Sequence, residues 1–221
     1  MKIGKIVSVI AVLAAAGAAH AEEGIGLRVG TLGYGGDFGW HIAPGLNARL
    51  GYSTYSHNTS ITNTDVHYDG KLKLSNAPLL FDFSPIGPFH FTAGIIGNAN
   101  KIDITGTPAS NGTFTFNGQT FTSSQVGSVS GRLKLGNSVA PYLGIGWGNV
   151  AGAGVNFYAD LGVAYMGSPK ASLSATCGSG VPASTCAQIQ ADVEAEQRAL
   201  EDKVKKYKYY PVLGIGLTIG F

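Results

Sequence analysis

Leu213-Gly214-Ile215-Gly216-Leu217-Thr218-Ile219-Gly220-Phe221 decides the reading of this chain. Over these nine positions every odd-numbered residue is large and apolar, and every even-numbered one is glycine or threonine. Successive side chains of a strand point to opposite faces, so one face here is wholly apolar and the other nearly bare. A soluble sandwich sets solvated Lys, Glu or Thr opposite its core face. A narrow barrel in a membrane needs small residues inside and an unbroken apolar band outside.

The pattern recurs upstream. Val155, Phe157, Ala159, Leu161, Val163 and Tyr165 alternate with Asn156, Tyr158, Asp160, Gly162 and Ala164. Val139, Leu143, Ile145 and Trp147 alternate with Ala140, Tyr142, Gly144 and Gly146; Phe89, Phe91, Ala93 and Ile95 face away from His90, Thr92 and Gly94. Leu46, Ala48, Leu50 and Tyr52 do the same against Asn47, Arg49, Gly51 and Ser53. In the run His67 to Phe83, Leu72 and Leu74 have the opposite parity from Leu79, Phe81 and Phe83, which predicts a bulge near Asn76 to Pro78. Residues 24–42 read as two short strands turning at the glycine-rich piece Gly33-Tyr34-Gly35-Gly36, for a total of about eight. Connections alternate: short at 43–45, 85–88 and 149–154, long at about 56–65, 101–129 and 168–207. The fold expected is all-β, an antiparallel transmembrane β-barrel with short turns on the periplasmic side.

Composition agrees with that choice. Of 221 residues 33 are glycine, and only 13% are charged against a usual ~25%. The N-terminus carries Lys2 and Lys5, an apolar run from Ile6 to Ala16 and the small-x-small site Ala19-His20-Ala21, as an export signal cleaved after residue 21 does. Without Lys2 and Lys5 the remaining 13 basic residues equal the 13 acidic ones, which leaves no basic excess for nucleic acid. Beyond residue 21 no apolar run is long enough for a membrane-spanning helix.

Gly216, Ile219 and the terminal Phe221 resemble the sorting signal read by the barrel-assembly machinery of Gram-negative outer membranes. With the export signal, the chain is similar to small outer-membrane barrels of the OmpA, OmpX and OmpW type. The resemblance implies an outer-membrane address and contact with lipopolysaccharide, but no single activity, because such barrels serve as anchors, adhesins, narrow channels and lipid-modifying enzymes.

Parity turns Arg28, Arg49, Asp82, His90 and Asp160 inward, with Arg132 and Lys134 nearer the outer rim. Mixed signs in a narrow bore predict a paired network that closes it; the alternative is a selectivity filter for small solutes. His57, Ser60, His67 and Asp69 cluster around one outer connection and are the candidates for a lipid hydrolase, but their spacing matches no catalytic motif. No cofactor or metal is expected. Cys177 and Cys186, nine positions apart in an exported chain, predict a disulfide.

A helix is expected over about 187–207, entered through a capping box of Thr185 and Gln188, with Glu201 and Lys205 as an i,i+4 pair. Its basic end, Lys203, Lys205, Lys206 and Lys208, either caps the helix or meets lipid phosphates, while Tyr207, Tyr209 and Tyr210 suit an outer aromatic girdle. Asn117-Gly118 between alternating runs predicts a hairpin over 113–122 that pairs Phe114 with Phe121 and carries Phe116. Above a membrane it either stiffens the loop or offers its phenylalanines and edges to a partner. The sequence thus points to a monomer with a structural or surface-interaction role, with passive permeation as the alternative.

Overall fold

A computed structural model describes residues 23–62 and 65–221. The expected export signal, residues 1–21, lies outside the described residues. Among the described residues no helix is long and apolar enough to cross a membrane.

Among the described residues thirteen strands and one helix follow in order: β1 (Glu23–Gly30), β2 (Gly33–Ala43), β3 (Leu46–Thr62), β4 (Val66–Ile86), β5 (Phe89–Asn98), β6 (Lys101–Pro108), β7 (Thr113–Phe116), β8 (Gln119–Thr122), β9 (Val126–Lys134), β10 (Val139–Gly148), β11 (Gly154–Tyr165), β12 (Lys170–Cys177), α1 (Ala183–Val204) and β13 (Tyr209–Gly220). Antiparallel pairing runs from β1 through β2, β3, β4, β5, β10, β11 and β13 and returns to β1. A ring of pairings leaves no open edge, so backbone groups find partners within the sheet.

In the first hairpin Gly30 lies opposite Gly33, so the chain turns at Thr31-Leu32. Gly33 to Gly36, expected as the turn, stand inside β2. Gly35 is there for close approach, because a Cβ would overlap the carbonyl of Tyr52 on β3.

One wall of the ring continues beyond it. The second half of β4 pairs with β5, but its first half, Val66 to Lys73, pairs with β6; β6 then pairs with β9, and β9 with β12. The segment expected as a loop near 56–65 is therefore mostly strand. Along this wall the strands break at a common level, between β5 and β6, β9 and β10, and β11 and β12. Asparagines stitch the break: Asn98 Nδ2 donates to the carbonyls of Leu135 (3.0 Å) and Asn137 (2.8 Å), and Asn100 Nδ2 to Asn76 Oδ1 (3.0 Å). Asn76 Nδ2 in turn donates to Leu32 O (2.9 Å), tying the break to the first turn. Interrupted ladders leave backbone groups that need such partners.

The bulge expected near Asn76 to Pro78 is absent. β4 holds one register against β3 from Leu46 opposite Phe83 to Thr62 opposite His67, and one register across β5 and β6 through this region. Leu72 and Leu74 differ in parity from Phe81 and Phe83 because the apolar side of the sheet changes. In the ring the outer face is apolar, and in the extension the inner face is.

That inner face is covered by α1 and the β7–β8 hairpin. Phe114, Phe116 and Phe121 are buried with Val66, Val126, Ile189 and Val193 in a small core of their own. The hairpin has the expected register, Phe114 opposite Phe121 and Phe116 opposite Gln119, with Asn117 and Gly118 at positive φ. Its phenylalanines are not presented to a partner, however. They close onto the helix, where burial is worth more than exposure. The helix also differs from expectation: it starts at Ala183 after Pro182 with no side-chain cap, so Thr185 and Gln188 lie within its first turns and Gln188 bonds Asp192 (3.0 Å). The pair Glu201–Lys205 is replaced. Lys205 meets Asp202 (2.9 Å), while Glu201 accepts the backbone N–H of Ala171 (3.0 Å) and Gln197 that of Leu173 (2.9 Å). Both acceptors satisfy the free edge of β12, which would otherwise present unpaired donors.

Candidate functional site in the lumen

Inward-facing positions of the ring pair large polar side chains with glycines on neighbouring strands. A Cβ at Gly146 would strike His90 and Asp160, one at Gly51 would meet Asp37 and Arg28, and one at Gly216 would overlap the Tyr158 ring. The bare face read from the sequence is thus the space into which these side chains fold.

Arg49, 1% exposed, is the hub. Its guanidinium lies 2.6 Å from Asp160 Oδ2 through Nη1 and 2.7 Å from Asp82 Oδ2 through Nε, with further bonds to Asp82 Oδ1 (2.9 Å) and Asp160 Oδ1 (3.1 Å). His90 Nε2 sits 3.0 Å from Asp160 Oδ1, and Thr92 donates to Asp82 Oδ1 at 2.7 Å. Arg28 Nη2 lies 3.4 Å from Asp37 and donates to Ser53 Oγ at 3.0 Å. Tyr158 links the halves: its hydroxyl donates to Asp37 Oδ2, and Arg49 Cζ stands 5.2 Å from its ring centre. Charges buried this deeply persist only when paired.

Two apolar layers flank the network. On the side of the extension, Leu32, Leu80, Ile96, Tyr142, Met166 and Val212 fill the bore. At the other end the turn after β10 folds Val150 and Ala151 inward, and Asn149 Oδ1 accepts from Asn47 Nδ2 at 3.3 Å. A cavity of about 10 Å³ remains beside Arg28, Leu80, Tyr142 and Asp160, room for about one water.

All five lumen residues picked by parity, Arg28, Arg49, Asp82, His90 and Asp160, stand in this cluster. Asp37, Ser53, Thr92 and Tyr158 belong to it as well. Asp37 was legible from its parity opposite Phe38 but was hidden among the glycines taken for a turn.

The other candidates lie elsewhere. Ser60 Oγ donates to Asp69 Oδ1 at 2.6 Å, His67 Nε2 is 3.4 Å from the same oxygen, and Thr62 Oγ1 is 2.6 Å from His67 Nδ1. Ser60 is bonded to the acid rather than to a base, and His57 is outside the group, stacked on Tyr55. With His67 and Asp69 side chains 45% and 59% exposed on an open strand face, nothing encloses a substrate. The Ser60 hydroxyl, helped by His67, holds the Asp69 carboxyl below the usual carboxylate range. Among the described residues no group of His, Cys, Asp and Glu has the makings of a metal site.

Cys177 and Cys186 form a disulfide with Cα atoms 5.8 Å apart, joining the end of β12 to the first turn of α1. Lys203, Lys205, Lys206 and Lys208 are exposed at the end of the helix. Tyr209 packs on Tyr165 on the outer face, but Tyr210 turns inward and donates to Thr31 O (2.6 Å), so it leaves the expected girdle. Of the terminal motif, Ile219 is exposed, Gly216 lies under Tyr158, and Phe221 N–H bonds Glu23 O (3.1 Å).

No known family's sequence profile matches the chain, and no curated protein matches it in sequence. Solved structures do. The chain is similar to Acinetobacter baumannii CarO2, with a TM-score of 0.55 and 25% identity over 92% of this chain and 100% of that one. Acinetobacter baumannii CarO gives the same TM-score and identity over 90% of this chain and 97% of the other.

Proposed function

We propose, from the likeness to the CarO structures and from the ring described above, that this chain is an integral outer-membrane protein: an eight-stranded transmembrane β-barrel with a closed lumen and a structural or surface-interaction role. The observation that carries the reading is the pairing of an apolar exterior with a filled interior. Leu27, Leu143 and Leu217 are 69%, 70% and 58% exposed, and Phe83, Phe91, Trp147, Phe157 and Ile215 continue the band around the ring. In water so large an apolar surface is untenable, whereas in lipid it is the required one.

On this reading residues 1–21 direct export, and the motif of Gly216, Ile219 and Phe221 serves assembly. The extension with α1 stands on the outer side, because the short turns at 44–45, 87–88 and 149–153 gather at the opposite end with both strand termini. The Arg49 network holds the strands together and blocks solute passage. Heat-dependent mobility on a gel, together with planar-bilayer recording of the refolded protein, tests the proposal. A mobility shift with silent bilayers is the expected result. Discrete openings altered by Arg49→Ala or Asp160→Ala would establish a conducting lumen instead.

A further inference from the structure

The registers of the extension align basic residues that lie far apart in the sequence. Lys73 is directly opposite Lys101, Lys101 opposite Lys134, and Lys134 opposite Lys170, so four adjacent strands carry one unbroken row of lysines. The next row holds Lys71, Asp103, Arg132 and Ser172. Two rows thus set six cations against one carboxylate. Asp103 is already engaged by Arg132 (2.5 Å) and lies 3.4 Å from Lys101; no ion pair is formed at Lys71, Lys73, Lys134 or Lys170 among the described residues. Like charges directly opposite one another destabilise a sheet, and the single carboxylate Asp103, bound to Arg132 and Lys101, offsets only part of them.

The row has a defined place. Its side chains stand on the same face of the sheet as Phe81 and Phe83, the apolar outer face of the ring, and α1 covers the other face. Along the unbroken strand β4, from Leu79 opposite Ile95 to Lys73 opposite Lys101, is six residues, about 20 Å of strand and about 14 Å of height at a tilt near 45°. The flexible lysine stems can span much of what separates that level from the edge of the hydrocarbon. Four strands about 4.8 Å apart make the row about 14 Å wide, enough for more than one anionic group.

We infer that the row Lys73, Lys101, Lys134 and Lys170, with Lys71 and Arg132, binds the phosphate groups of lipids in the outer leaflet. This rests on the membrane reading above. Compact ammonium charges suit phosphate oxygens, and a lipid phosphate is delivered to this height by the bilayer itself, whereas a free anion or an acidic protein is not. The excess of like charge is then a binding surface neutralised by its ligand.

The refolded protein is titrated in detergent with bisphosphorylated lipid A, with the same lipid stripped of phosphate, and with inorganic phosphate, after insertion is verified by the gel shift. The test variant combines Lys73→Gln, Lys101→Gln, Lys134→Gln and Lys170→Gln; the control combines Lys203→Gln, Lys205→Gln and Lys206→Gln on the helix. Each row lysine removed weakens lipid A binding about fivefold, several hundredfold for all four, whereas the helix control stays within about twofold. Without lipid, the row variant melts higher than the parent, because its repulsion is gone; a structural role for the lysines would lower it. Binding by the row variant within about twofold of the parent, or an equal loss in the helix control, overturns the inference. Equal affinity for dephosphorylated lipid, or for inorganic phosphate, overturns the lipid-phosphate assignment. A chain that inserts and ignores phosphate refutes this inference alone, and a chain that does not insert refutes the membrane reading and this inference with it.

Discussion

Replacing Arg49 by methionine keeps most of the side-chain volume and removes only the charge that Asp82 and Asp160 share. In the parent each carboxylate has a guanidinium nitrogen within 2.7 Å. At an effective dielectric of 20, a charge pair at 4 Å is worth about 4 kcal/mol, and breaking a buried pair by deleting one partner costs about 3–5 kcal/mol. Here two acids lose their shared guanidinium at once and keep only His90, 3.0 Å from Asp160, and the Thr92 hydroxyl, 2.7 Å from Asp82, so Arg49→Met is expected to lose about 3 kcal/mol, a large part of an ordinary stability of about 5–15 kcal/mol. Removing the acids too changes the outcome. The triple variant Arg49→Met, Asp82→Asn, Asp160→Asn leaves no unpaired charge and is expected within about 1–2 kcal/mol of the parent. Urea unfolding of the refolded protein, followed by fluorescence of Trp40 and Trp147 and by gel mobility, measures both. A loss below about 1 kcal/mol for Arg49→Met, or a triple variant as damaged as the single one, would refute the view that pairing is what lets this lumen be charged.

Gly216→Ala drives a methyl into the Tyr158 ring and is expected to cost about 1–3 kcal/mol in the same unfolding assay. Ile189→Ala and Phe116→Ala open the small core under α1 and are expected to cost about 2–5 kcal/mol, read as lost amide-exchange protection in α1 and β7–β8 while the ring stays protected. Replacing both Cys177 and Cys186 by serine frees a short loop worth about 2.5 kcal/mol on a chain-entropy view, and proteolysis within 178–204 is expected to accelerate without loss of the heat-dependent shift. Asp103 bonds Arg132, and that contact holds its carboxyl below the ordinary range. A lowered folded pKa stabilises above the unfolded value near ~3.9 and is lost as pH falls through the folded one. Exchange protection in β6 and β9 is therefore expected to hold down to about pH 4 and to fall below it, and Asp103→Asn to abolish that pH dependence.

Much of this protein is local and can be read one residue at a time. Strand period assigns each side chain to a face, which is why Arg28, Arg49, Asp82, His90 and Asp160 could be grouped before any pairing was known, and why Asn117-Gly118 specifies its hairpin. Cys177 and Cys186 were legible from number and spacing. Function-bearing detail was harder where two environments share one strand. Leu72 and Leu74 mimic a bulge because parity says only that two residues face opposite ways, not which side is apolar at that height. The phenylalanines of 113–122 show the same limit: their alternation predicts a common face, but only packing against Ile189 and Val193 decides that the face is closed.

By itself, then, the sequence determined strand character, the inward and outward sets and the disulfide, because these depend on a two-residue repeat and short separations. Tertiary structure alone decided what lies beside what: Asp37 under Tyr158, Glu201 on the edge of β12, and Lys73, Lys101, Lys134 and Lys170 in one row. Cross-strand register is a sum over many pairings between distant segments, and shifting any of them by two residues would keep every side chain on its face while breaking up the row.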